Sequence, residues 1–206
     1  MNKKIYKIET VVNFSDISKF LKSNAIQKVN LIQEIKCKLE YEPKKDYYKL
    51  VRETFKRYNR SKDLTVFSDL EMKISDPLRK NHFLILMKGY LNFLKKNEGE
   101  IFLPSGIRID MDSIELRIKA DVGILSKENK MLFVKFYFKK EPLTIQDNTL
   151  GIYLLKREYE SQYGKDVECG ILDIRRNKLY LSSKDPRLEI ILNSELALFV
   201  KMLKAA

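Results

Sequence analysis

The 206-residue chain carries 40 lysines and arginines against 28 acidic residues, which gives a formal net charge of +12. Hydrophobic residues make up 44% of it, beside 7 glycines and 5 prolines, so the composition excludes a disordered or collagen-like chain. The excess of positive charge favours a polyanionic partner: a nucleic acid, an anionic membrane or an acidic protein. A lysine-rich codon bias would produce the same excess without such a partner.

Residues 1–100 are predicted to be mainly helical. An apolar alternation predicts a short strand over 5–12. Helical periodicity predicts four helices, over residues 15–24, 29–39, 44–58 and 77–96. The last of these has a clear start signal, because Asp76 can cap the helix and Pro77 suits its first position.

Residues 101–206 are predicted to contain most of the sheet. Alternating apolar residues predict three strands, over 107–112, 115–124 and 131–138, and short turns between them favour an antiparallel meander. A helix over 150–163, a hairpin over 167–182 and a last helix capped by Asn193 follow. The expected fold is α+β, with the helical N-terminal half packed on a mixed sheet in one compact domain.

Several enzyme and membrane classes are excluded by missing motifs. The chain has no GxxxxGK[ST] loop and no GxGxxG turn, which removes nucleotide-driven motors and dinucleotide oxidoreductases. Its single histidine, His82, excludes a zinc site built from several imidazoles and favours a capping or surface role. Cys37 and Cys169 form no CxxC motif, so we expect a reducing, cytoplasmic location. The longest apolar run, Phe83–Met87, is far shorter than the roughly 18 residues that a membrane span requires.

One arrangement in the second half places an aspartate and several lysines on neighbouring predicted strands. Asp121 lies late in the predicted strand over 115–124, and the next strand carries Lys139 on its polar face with Lys135. A helix and a further strand follow. This order resembles the core of the PD-(D/E)XK nuclease superfamily, in which an aspartate on one strand and a (D/E)-x-K motif on the next meet at a splayed sheet edge. The resemblance implies a restriction-endonuclease-like core.

The resemblance also implies a catalytic Mg²⁺ site. Asp121 would bind the metal, and Lys139 would position the attacking water or balance developing charge. The residue two positions before Lys139 should be acidic, but it is Tyr137, a poor magnesium ligand. Asp110 and Glu141 are the candidate replacement ligands. If the protein is not catalytic, no cofactor is expected.

A predicted helix supplies a candidate nucleic-acid-binding face. Lys45, Lys49, Arg52 and Lys56 recur at helical spacing over 44–58, beside an aromatic stripe. Such a face can follow a phosphate backbone. Asp46 and Glu53 interrupt it, and the alternative is an ordinary solvated helix surface.

These patterns favour a nucleic-acid-binding protein derived from a PD-(D/E)XK nuclease, with catalysis lost at Tyr137. One alternative is an active Mg²⁺-dependent nuclease, and another is a homodimeric scaffold joined through the apolar helix around Phe83–Leu94. The patterns leave DNA and RNA equally open as partners.

Overall fold

A computed structural model describes residues 10–37 and 46–206. Its helices are α1 (Phe14–Lys22), α2 (Ala25–Lys36), α3 (Lys49–Ser61), α4 (Thr65–Met72), α5 (Pro77–Lys96), α6 (Ile145–Tyr163) and α7 (Arg187–Ala205). Its strands are β1 (Thr10–Asn13), β2 (Glu100–Phe102), β3 (Ile107–Met111), β4 (Ile114–Ile118), β5 (Val122–Leu125), β6 (Met131–Tyr137), β7 (Val167–Asp173) and β8 (Lys178–Leu181). The fold is α+β, as the sequence predicts.

The described strands form two sheets. One has the order β2-β5-β6-β7-β8 and the other the order β1-β4-β3. β3 with β4 and β5 with β6 pair antiparallel, as the predicted meander requires. The predicted strand over 115–124 is nevertheless split, because β4 belongs to the smaller sheet and β5 to the larger one. The two sheets therefore diverge at residues 119–121.

The parallel pair at the centre of the larger sheet determines where loops meet. β6 and β7 run parallel, and α6 connects them. A crossover of this kind brings the carboxyl ends of both strands to the same edge of the sheet. The segments after Tyr137 and after Asp173 consequently lie side by side, since these two residues are register partners.

Hydrophobic cores cover both faces of β6. Phe133 is buried in a core with residues of α1, α2, α6 and α7, whereas Val134 and Phe136 belong to a core with residues of α3, α4 and α5. Alternate residues of a strand point to opposite faces, so β6 is apolar on both.

The helices differ from prediction in several places: α2 begins at Ala25, α3 at Lys49 and α6 at Ile145, and α4 is not among the predicted helices. α7 begins at Arg187, whose N–H donates to Asp185 Oδ1 at 3.0 Å, and not after Asn193.

The predicted dimer helix, α5, uses most of its apolar face inside the chain. Phe83, Met87 and Tyr90 are buried in the core that α5 shares with α3 and α4. Little of that face is left for a second copy, and the predicted homodimer contact is not supported. Among the described helices, none is long and apolar enough to cross a membrane.

Candidate nucleic-acid interface

Asp121 lies where the two sheets diverge, and its carboxylate bonds to strand β6 at that point. The Asp121 N–H donates to the Val134 carbonyl at 2.8 Å, which is the last backbone bond before the chain turns away. The Phe136 N–H then has no strand partner and donates instead to Asp121 Oδ2 at 2.8 Å. Lys135 Nζ lies 3.1 Å from the same oxygen and donates to the Lys119 carbonyl at 3.0 Å. The aspartate thus replaces a missing strand as hydrogen-bond acceptor.

Tyr159 of α6 holds the other side of this junction. Its hydroxyl accepts the Ala120 N–H at 3.0 Å and donates to the Ser105 carbonyl at 3.0 Å. Burial raises the pKa of Tyr159 to about 12, so the phenol stays protonated and can make both bonds. Its ring stacks on Phe133 with centroids 4.0 Å apart. The junction is therefore a packed and hydrogen-bonded network.

The structure does not gather the residues predicted as catalytic or metal-binding. Lys139 is exposed beyond the end of β6, and the lysine that pairs with Asp121 is Lys135. Asp110 is exposed on β3, opposite Glu115, and Glu141 is exposed in the loop after β6. Over residues 10–37 and 46–206, no group of three or more His, Cys, Asp and Glu side chains could hold a metal ion. The predicted ligand set of Asp121, Asp110 and Glu141 is not assembled.

Acidic neighbours neutralise much of the predicted basic face of α3. Lys49 lies 3.8 Å from Glu53, and Arg52 forms an ion pair with Asp46. Lys56 has no ion pair in the part of the chain that the structure describes. Lys45 lies outside the described residues. The face is a weaker polyanion site than its spacing predicts.

A different set of side chains converges at the carboxyl ends of β6 and β7, beside the N-terminal ends of α3 and α5. We refer to this set as the aromatic–basic patch, which consists of Tyr47, Tyr48, Arg79, His82, Lys139, Lys140 and Arg175. The Tyr47 and Tyr48 rings meet edge to face at 5.0 Å, and the Arg79 guanidinium lies 4.9 Å from the Tyr47 centroid. Cationic and aromatic groups therefore share one surface.

Strand β6 anchors the two halves of the patch. Tyr48 stacks on Phe138 with ring centroids 5.0 Å apart, and Arg175 Nε donates to the Phe138 carbonyl at 3.2 Å. Lys139 and Lys140 follow Phe138 directly in the chain. These contacts hold Tyr48 and Arg175 at Phe138, and the two exposed lysines come next in the chain.

Buried Asp173 makes the loop after β6 rigid. Its carboxylate accepts the Leu143 N–H at 3.3 Å and Arg176 Nη1 at 3.0 Å. Arg176 Nη2 in turn donates to the Lys140 carbonyl at 2.7 Å. Asp173 thus neutralises Arg176, whereas Lys139, Lys140 and Arg175 have no ion pair within the described residues. The patch keeps three cations available for an anionic ligand.

Two titratable groups of the patch, Tyr48 and His82, are neutral near pH 7. Burial raises the pKa of Tyr48, although the nearby Arg175 charge opposes this shift. Burial lowers the pKa of His82, and the positive charge of Arg175 lowers it further. Neutral aromatic rings and permanent cations are the combination that binds nucleic acids by stacking and by phosphate contacts.

His82 is expected to make the stability of the protein depend on pH. In the unfolded chain it takes up a proton near its ordinary pKa of 6.5, but the folded chain binds that proton only at lower pH. The unfolded state then binds more protons, so stability falls as the pH drops from about 7 to about 5. Urea denaturation across this range should show a smaller loss for His82→Gln than for the native protein. An identical loss in both would contradict the assignment.

The sequence gives one signal for the patch that the motif search misses. A strand, a helix and a second strand of the same sheet usually run parallel, which brings the loops after the two strands together. That order alone places Lys139 and Lys140 beside Arg175 and Arg176. The contribution of Arg79 and His82 depends on how α5 packs, and no local pattern reveals it.

Comparisons with known proteins leave the family open. No protein-family model matches the sequence, and no curated protein matches it. Among solved structures, the crystal structure of SSO0001 is similar with a TM-score of 0.38 and 8% sequence identity, over 93% of this chain and 78% of that chain. A likeness this low assigns neither a family nor a function to the chain.

Proposed function

We propose that the protein binds nucleic acid through the aromatic–basic patch and does not cleave it. The proposal depends on one observation: Lys139, Lys140 and Arg175 have no ion pair among the described residues, and they adjoin Phe138, on which Tyr48 stacks. Ligands of α/β sheets commonly bind outside the carboxyl ends of parallel strands, which is where the patch lies. The net charge of +12 would favour the approach of any polyanion to this surface.

The junction at Asp121 supports descent from a PD-(D/E)XK nuclease with catalysis lost. An antiparallel pair, a helix and a parallel strand follow one another in the order that the resemblance implies, and Asp121 faces Lys135 within it. Taking Lys135 as the motif lysine, the residue two positions earlier is Phe133, which is fully buried and stacked on Tyr159. An apolar ring would then replace the second acidic ligand, and a hard cation such as Mg²⁺ needs oxygen ligands there.

Charge reversal at the patch tests the proposed binding surface. The double variant Lys139→Glu with Lys140→Glu is expected to weaken binding of a labelled oligonucleotide about tenfold, because two phosphate contacts become repulsive. Fluorescence anisotropy at low salt measures the change. For the native protein, about three phosphate contacts give a log–log salt slope of roughly −2 to −3.

The matched control reverses two charges at the other end of the same strands. Lys127 and Lys165 are exposed in the turns before β6 and β7, so Lys127→Glu with Lys165→Glu changes the net charge equally. This control should bind nearly as well as the native protein. Equal weakening in both variants would mean that binding follows overall charge and not the patch, and an absence of binding at low salt would contradict the proposal.

An active nuclease is the second candidate, because Asp121 and Lys135 do meet at 3.1 Å. That candidate requires cleavage of DNA or RNA when Mg²⁺ or Mn²⁺ is added. Incubation of the native protein with single- and double-stranded substrates in either metal separates the two functions. Cleavage that is lost in Lys135→Ala, while the variant stays folded, would replace the proposal of a binding protein with that of an enzyme.

A further inference from the structure

We propose that the nucleic acid bound by the aromatic–basic patch is single-stranded, with an unpaired base stacked on the Tyr47–Arg79 pair. This inference rests on the proposed function and specifies its ligand. Tyr47 is 40% exposed, an unusual exposure for an aromatic side chain placed among Tyr48, His82 and Phe83. The Arg79 guanidinium carbon lies 4.9 Å from the Tyr47 centroid and 5.2 Å from the Phe83 centroid, so a cation adjoins the exposed ring.

The chemistry of this surface distinguishes a single strand from a duplex. Bases in a duplex stack on one another and expose only their edges, whereas an unpaired base has a free face that stacks on an aromatic ring or a guanidinium plane. A duplex would use only the lysines, through its phosphates. A surface with cations alone would bind a duplex as well as a single strand. This surface also has an exposed aromatic ring, which favours the single strand.

The rings are fixed before a ligand arrives. The Tyr47 hydroxyl and His82 Nδ1 lie 3.2 Å apart, within hydrogen-bond distance. Tyr48 stacks on Phe138 with an interplanar angle of 18°, which ties the neighbouring tyrosine to the end of β6. A preorganised aromatic surface loses little side-chain entropy on binding, so stacking contributes nearly its full free energy.

Lys139 and Lys140 are exposed and follow directly in the chain after Phe138, so they are the cations that the backbone of a stacked strand would meet. Tyr48 stacks on Phe138 and contacts Tyr47. One nucleotide could therefore stack on the tyrosine ring while the phosphate of the next contacts a lysine. Glu141 lies beside Tyr48 and Tyr137 and would disfavour phosphates on its own side. The nearby Asp46 and Asp173, by contrast, are each paired with an arginine.

Fluorescence anisotropy with matched oligonucleotides tests the inference. The probes are one single-stranded DNA, the RNA of the same sequence, and the DNA duplex, all at the same low salt. We expect the native protein to bind both single strands about tenfold more tightly than the duplex, by the stacking of about one base. Tyr47→Ala should remove this preference and leave duplex binding unchanged.

Tyr47→Phe is the control for the ring. It keeps the stacking surface and loses only the hydroxyl, so it should retain the preference for single strands, and urea denaturation establishes that both variants are folded. Equal affinity for single strands and the duplex, or no effect of Tyr47→Ala, would overturn the inference. The proposed function would still stand if charge reversal at Lys139 and Lys140 weakened binding. Failure of every probe to bind would overturn the proposed function with it.

Discussion

Replacing Asp121 with alanine is expected to lower the free energy of unfolding by about 3 kcal/mol. The change removes the acceptor of the Phe136 N–H, which belongs to a buried residue, and leaves the half-buried Lys135 without its counter-charge. A buried donor without a partner costs about 1–3 kcal/mol, and an uncompensated charge adds to this. Asp121 is thus expected to act first as a structural residue, whatever its ancestry.

Equilibrium denaturation in urea measures this loss, and two variants control it. Asp110→Ala removes an exposed carboxylate that the sequence offers as a replacement metal ligand, and it should change stability by less than about 0.5 kcal/mol. Asp121→Asn keeps one oxygen for the Phe136 N–H and should fall between the two. If Asp121→Ala were as stable as the native protein, the carboxylate would not stabilise the junction of the two sheets. A role for Asp121 in binding a metal ion would then be favoured.

Local signals predict most of the helices and strands of this chain, although α4 and β2 have no counterpart among the predicted elements. Asp76 caps α5 through the Leu78 N–H at 2.9 Å, and Gly164 ends α6 as predicted. Alternation predicts the strands from β3 to β8, since one side chain in two faces a core. These signals act within a few residues of one another, so the sequence contains them completely.

The split between β4 and β5 has no local signal. Apolar and polar residues continue to alternate from Ile118 to Val122, with Lys119 and Asp121 at the polar positions. This period-two pattern predicts one long strand. What ends β4 is a contact from a distant helix, because the Tyr159 hydroxyl binds the Ala120 N–H in place of a strand neighbour. A tertiary hydrogen bond of this kind cannot be inferred from periodicity.

The pairing of β5 with β6 decides which lysine faces Asp121, and the sequence contains the signal for that pairing. The turn between β5 and β6 sets the pairing, with Val122 opposite Val134. The next residues along each strand, Asp121 and Lys135, therefore face each other. Counting from a hairpin turn places cross-strand partners more reliably than spacing along one strand.

Counting residues from a turn cannot predict the aromatic–basic patch, because its two halves are distant in sequence. Arg79 and His82 come from α5, and Arg175 follows β7. Their approach depends on how closely α5 packs against the end of β7. Gly89 determines that distance: a Cβ atom there would lie 2.0 Å from the Ile174 carbonyl oxygen and 3.0 Å from its Cγ2.

Gly89→Ala is consequently expected to lower the free energy of unfolding by about 3 kcal/mol, although alanine favours a helix interior by about 1 kcal/mol. The added methyl group meets backbone, which cannot rotate away as a flexible side chain would. Thermal or urea denaturation measures the effect. Lys88→Ala is the control on the same helix, where an exposed side chain without an ion pair among the described residues is shortened, and its stability should be nearly unchanged.

The same substitution connects packing to the proposed binding. Moving α5 away from Ile174 would separate Arg79 and His82 from Arg175, the residue that follows Ile174. Gly89→Ala should therefore bind a single strand more weakly than Lys88→Ala even at temperatures where both remain folded. Increased stability in Gly89→Ala would show that helix propensity outweighs the contact, and α5 would then not be held against β7 at this glycine.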